Sequence, residues 1–149
     1  MATIITDLKE RFRKGNVYIQ LIYINVGIFI LTTVGEVMLQ LFNRSLGGVF
    51  EWLELPASLS RFLLQPWSLV TYMFMHAGLM HILFNMLWLY WFGTIFLHFF
   101  SAKHLRGVYV LGGICGGVLY MAAYNLFPYF APMVDYSFML GASASVLAI

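Results

Sequence analysis

The stretch LVTYMFMHAGLMHILFNMLWLYWF, residues 69–92, decides the fold class of this chain. It has no proline, no acid and no lysine or arginine across 24 residues. About 20 apolar residues in a helix cross the hydrocarbon core of a bilayer, so this stretch reads as a membrane span. Two further stretches qualify, about 17–41 and about 107–127, and a fourth opens near Phe138 and reaches Ile149. Pro56, Pro66, Pro128 and Pro132 all fall between these spans. The whole chain is 62% hydrophobic and 9% charged, whereas a soluble domain carries roughly a quarter charged residues. These observations imply an all-α, polytopic transmembrane helix bundle of three full spans and the start of a fourth. They exclude a soluble enzyme, and nucleic acid is not an expected partner.

The distribution of charge orients the chain. Lys9, Arg11, Arg13 and Lys14 precede the first span, and Lys103 and Arg106 lie between the second and third. Only Arg44 and Arg61 fall in the other long connection. The positive-inside rule therefore predicts a cytoplasmic N-terminus and a cytoplasmic 101–106 loop. The first apolar run, at about 25 residues, exceeds a signal-peptide h-region and reads as an uncleaved anchor. The outward segment 42–66 runs into GGVFEWLELPASLSRFLLQPW (47–67), which mixes large apolar residues with Glu51, Glu54, Arg61, Trp52 and Trp67. That mixture suits a structure lying in the headgroup region; a loop with aromatic anchors is the plainer alternative. Brief basic ends and no organelle signal fit a bacterial inner membrane.

Two stretches carry polar groups where lipid makes them costly. In the second span, His81 and Asn85 are four apart and share a helical face. His76, five positions before His81, is turned by roughly 140° on the helix, which separates it from the pair. Polar groups in a span either bond neighbouring helices or face a cavity, and both readings stand for this pair. In the fourth span, Gly141-Ala142-Ser143-Ala144 surrounds a serine with small residues. Such a run serves helix packing, or it lets a substrate backbone approach the hydroxyl. Taken together the stretches suggest chemistry: a serine attacking a carbonyl needs donors aimed at the developing oxyanion, and the His81/Asn85 pair would supply them. Gly112, Gly113, Gly116 and Gly117 form two overlapping small-xxx-small pairs, suited to packing within the chain or to dimerisation. Cys115 is the single cysteine, and no acid lies between Glu54 and Asp135. No metal site converges from these residues, since zinc would need three or four ligands, and no cofactor is implied.

The motifs PWSLVTYMFMHAGLMHILFN (66–85) and LGASASV (140–146) resemble the signatures of rhomboid intramembrane serine proteases. The first is similar to that family's second-helix pattern of His, four residues, then His-x-x-x-Asn. The second is similar to its Gly-x-Ser-Gly nucleophile motif, and the amphipathic segment after the first span resembles the family's first loop. The resemblance implies that Ser143 is the nucleophile of an endopeptidase that cleaves a peptide bond in or near a transmembrane segment. Membrane-protein substrates, unwound locally, would be its partners. It assigns His81 and Asn85 to the oxyanion hole, with the Ser143 backbone N–H. His76 takes a site-supporting role, and Gly141 is the position where a side chain would obstruct the substrate. Ala144 departs from the motif's second glycine and is expected to add a methyl group at a crowded spot. Ser68 and Leu97 depart from an arginine and an acidic residue common in the family.

The family's general base is a histidine on a later helix, so residues 1–149 are expected to be inactive alone. From Phe138 only 12residues remain, with no polar flank to end a span. The expectation is an N-terminal portion of a longer protein. A deliberate truncation, such as a stalled biogenesis intermediate, would add the membrane-insertion machinery as a partner. A catalytically dead rhomboid-like protein that binds membrane clients for quality control is the alternative function.

Overall fold

A computed structural model describes residues 6, 9–10, 12–45 and 47–149 of the chain. Arg11, one of the basic residues flanking the first span, and Leu46 of the outer segment lie outside the described residues. Among the described residues three helices are long and apolar enough to span a membrane: α1 (Val17–Gln40), α5 (Leu79–Phe99) and α6 (Ala102–Leu126). Between α1 and α5 lie α2 (Gly47–Leu53), β1 (Leu55–Pro56), α3 (Leu59–Leu64) and α4 (Ser68–Thr71). After α6 come β2 (Phe138–Met139) and a short α7 (Ser143–Leu147). The chain is an all-α bundle, and among the described residues the one sheet is a two-residue antiparallel pair, Leu55 opposite Met139 and Pro56 opposite Phe138.

The first span lies where the sequence places it, but the second does not. Residues 69–92 were expected to form one helix; instead α5 starts at Leu79 and runs to Phe99. The preceding residues form α4, a 3-10 turn at Tyr72–Phe74, and an extended passage through Met75 and Gly78. Hydropathy alone cannot see this break, because tertiary contacts make it. The Thr71 hydroxyl donates to the Leu53 carbonyl at 2.7 Å, and Tyr72 and Met73 are completely buried. Tyr72 donates its hydroxyl to the Gly113 carbonyl at 2.6 Å. These contacts outweigh weak local propensity. The third span is longer than expected, since α6 begins at Ala102 and places Lys103 and Arg106 in its first turns. The expected fourth helix from Phe138 is also corrected. Residues 138–139 pair with β1, and helix begins only at Ser143.

Packing among the spans uses close contacts. A Cβ added at Gly93 would lie 2.6 Å from the Tyr18 Cβ, so α1 and α5 meet almost backbone to backbone. Asn25, fully buried in α1, donates to the Tyr109 hydroxyl of α6 at 3.2 Å. The α6 glycines pack within the chain: Gly112 meets Ala148 and Gly116 meets Ala144, both of the α7 segment. Large apolar residues such as Leu31, Leu119 and Ile95 remain exposed on the spans, the surface that lipid would cover.

The outer segment is built rather than loose. Gln65 donates to the Glu51 and Glu54 carbonyls at 2.9 and 3.0 Å, Trp67 donates to the Trp52 carbonyl at 2.8 Å, and the two indoles stack. Asn125 of α6 donates to the Ala57 carbonyl at 2.8 Å. Through the β1–β2 pair this segment also holds the residues just before Gly141.

Candidate active site

His81 stands in the first turn of α5, and Asn85 follows one turn later on the same face. Asn85 is buried, and its amide donates one hydrogen bond back to the His81 carbonyl at 3.1 Å. An amide nitrogen carries two hydrogens, so a second donor remains. Across the bundle, Ser143 opens α7, where the first backbone N–H groups of a helix have no partner within it. Among the described residues the Ser143 hydroxyl has no hydrogen-bond partner.

These three residues line one open cavity of about 400 Å³, together with Met80, Phe84, Trp88, Val146 and Leu147. The structure thus brings together the serine of one expected motif and the His/Asn pair of the other. Its walls are apolar, and its polar groups converge from two elements, as in sites that bind and orient a small reacting group.

Gly141 joins this cluster through its backbone. Its φ of +117° is a conformation that side-chain-bearing residues rarely adopt. A Cβ there would lie 2.6 Å from His81 Nε2 and 3.9 Å from Asn85 Nδ2. The family resemblance implies a glycine here for access of a substrate; the structure adds a contact with the imidazole itself. The same contact shows that His81 directs Nε2, rather than Nδ1, at the Gly141–Ser143 turn.

His76 is where expectation and structure part. The helical reading turned it away from His81, but residues 75–78 are not helical. Its ring instead lies 5.1 Å from the His81 ring, edge to face. Nδ1 lies 3.3 Å from the Phe74 carbonyl, whereas Nε2 is buried without a partner. Burial pushes its pKa down to about 4, the neighbouring His81 pushes the same way, and the Phe74 contact opposes them. His76 also borders a second cavity of about 600 Å³, which Glu36, Glu54, Phe50 and Leu140 help to line.

Ala144 does not crowd the site as expected. It is absent from the cavity wall, and its methyl group faces α6, where a Cβ on Gly116 would come within 2.5 Å of it. His98 and His104 stand at the far ends of α5 and α6, bonded to Thr94 and Ser101.

The Rhomboid domain family matches residues 63–149, more than half of the chain, and the chain belongs to the rhomboid family. The match includes both motifs and every residue of the cavity. Comparison with curated proteins and with solved structures gave no match. With three apolar spanning helices, the chain is an integral membrane protein of that family.

Proposed function

We propose that the full-length protein is an intramembrane serine endopeptidase of the rhomboid class, cleaving a peptide bond in or near a client's transmembrane segment. One observation carries this reading: Ser143, His81 and Asn85, from separate motifs, line the same apolar cavity. Ser143 Oγ attacks the scissile carbonyl. The proton passes to a histidine that the family resemblance locates beyond residue 149, because a serine hydroxyl is a poor nucleophile without a base. The oxyanion that develops takes hydrogen bonds from His81 Nε2–H, the free Asn85 N–H and the Ser143 backbone N–H. This role requires the His81 tautomer protonated on Nε2. The methionine, phenylalanine, tryptophan and leucine walls suit an unwound apolar client. The site would face the outside of a bacterial inner membrane, with the N-terminus cytoplasmic.

The Ala144 methyl packs against Gly116 and not into the cavity, which favours an enzyme over a catalytically dead, client-binding relative. The test is labelling of the full-length protein by a fluorophosphonate probe. Labelling is expected, and Ser143→Ala should abolish it. His81→Ala and Asn85→Ala should each lower client cleavage by about 10²–10³-fold, the scale of one lost oxyanion donor. Labelling that survives Ser143→Ala, or turnover unchanged in both oxyanion variants, would overturn the assignment.

A further inference from the structure

The serine side of the cavity rests on α6, and one residue outside the proposed chemistry joins its pieces. Tyr72 is completely buried, and it holds two parts of the molecule at once. Its hydroxyl donates to the Gly113 carbonyl at 2.6 Å, which registers it against α6. Its backbone carbonyl accepts the Gly141 N–H at 2.9 Å, which fixes the turn that lies against His81.

The α6 glycines divide the work. Gly112 and Gly116 seat the segment that carries Ser143, by close contacts with Ala148 and Ala144. Gly117 makes room for Leu55 and Leu69, whose methyl groups lie 2.8 and 2.9 Å from where a Cβ would be, with the Tyr72 ring in ordinary contact beside them at 3.4 Å, and Gly113 supplies the acceptor. The nucleophile and the Gly141 turn are therefore referenced to adjacent stripes of one helix. Thr71, next in the chain, ties the same short segment to the outer loop through Leu53.

From this geometry we infer that Tyr72 is a positioning residue: its hydroxyl sets the separation between the Gly141–Ser143 turn and the His81/Asn85 face. The inference rests on the reading of that cavity as an oxyanion site. Losing the hydroxyl leaves the Gly113 carbonyl with its helical partner alone and lets Tyr72, with the bonded Gly141 peptide, shift relative to α6. A shift of a fraction of an ångström matters at the cavity and little elsewhere, because catalytic rates depend steeply on such placement.

The experiment uses the full-length protein with Tyr72→Phe, and with 4-aminophenylalanine at position 72, which keeps a donor at the para position. Client cleavage is measured below the unfolding temperature of every variant. The expected result is a kcat lower by about 10- to 100-fold in Tyr72→Phe with KM within about twofold, and recovery with 4-aminophenylalanine. A kcat equal to wild type overturns the inference. So does a lowered kcat that the amino analogue fails to restore while folding is intact. The ¹⁵N resonance of His81 Nε2 gives a reading that needs no turnover: it should move in Tyr72→Phe and return with the analogue, and an unmoved resonance overturns the inference. If the resonance moves but wild type neither cleaves nor takes the fluorophosphonate, positioning stands and the protease reading fails.

Discussion

Gly141 and His76 test the site one atom group at a time. Gly141→Ala introduces a methyl group 2.6 Å from His81 Nε2 at a φ of +117°, so either the imidazole or the turn must move. In the full-length protein, cleavage should fall by at least about 10²-fold, while unfolding shifts by only about 1–3 kcal/mol. Equal activity would show that His81 need not hold its present place. His76 links site and stability through pH. Its imidazole is neutral when folded, with a pKa near 4, and takes a proton near 6.5 when unfolded. Its contribution to stability is therefore complete above about pH 6.5 and is lost as pH falls toward 4, at up to about 1.4 kcal/mol per pH unit. Glu54, raised by burial and by Glu51, acts in the opposite sense at the acidic end, as stability from its protonation grows when pH falls. Unfolding of wild type and His76→Gln between pH 7.5 and 5 separates the two: the variant should lose stability less steeply, and parallel curves would remove His76 as the cause. At this scale the sequence was informative where helical periodicity held. His81 and Asn85 share a face because four-residue spacing guarantees it within α5. His76 was misplaced because the same periodicity was extended across a break held by distant contacts.

The elements that matter most are those whose limits hydropathy could not reveal. Length and apolar character located α1 nearly to the residue, since α5, α6 and the Tyr72–Phe74 turn pack along it without interrupting it. The start of α5 depends on Tyr72 reaching Gly113 and on Thr71 reaching Leu53, partners 41 and 18 residues away in sequence. The start of α7 depends on β2 pairing with β1 across more than 80 residues, which no local pattern encodes. The glycine stripe was legible as a packing device, but its division between the α7 segment and residues 55–73 was not. That division predicts contrasting outcomes for one residue type on one helix. Gly116→Leu drives its side chain into Ala144, and overpacking of this kind costs about 1–3 kcal/mol and should unseat Ser143. Gly107→Ala meets nothing within 4 Å and should be neutral or stabilising by up to about 1 kcal/mol. Thermal unfolding in detergent, with probe labelling of the full-length variants, reads both effects. Indistinguishable behaviour of the two variants would mean that α6 does not pack through Gly116.

For the whole molecule the fold fixes which segments share an end of the bundle, and the bilayer must then choose between two orientations. The Phe100–Ser101 turn lies at the same end as the start of α1, because Tyr18 packs on Gly93 and Tyr90 near the close of α5. Residues 42–45, 47–78 and 127–142 occupy the opposite end, with the candidate site opening beside them. Lys9, Arg13, Lys14, Lys103 and Arg106 gather at the first end, against Arg44 and Arg61 at the second. Each basic residue opposes translocation of its segment, so the first end should stay in the cytoplasm. Single-cysteine proteins in a Cys115→Ser background test this, with Ser101→Cys at one end and the exposed Tyr136→Cys at the other. A membrane-impermeant maleimide should label position 136 in intact cells whose outer barrier has been opened, and position 101 only after the membrane is breached. The reverse pattern would keep the fold and overturn the orientation, moving the serine cavity to the cytoplasmic face. Labelling of both positions from one side would contradict the arrangement of α5 and α6 itself, and with it the convergence of Ser143 on His81 and Asn85.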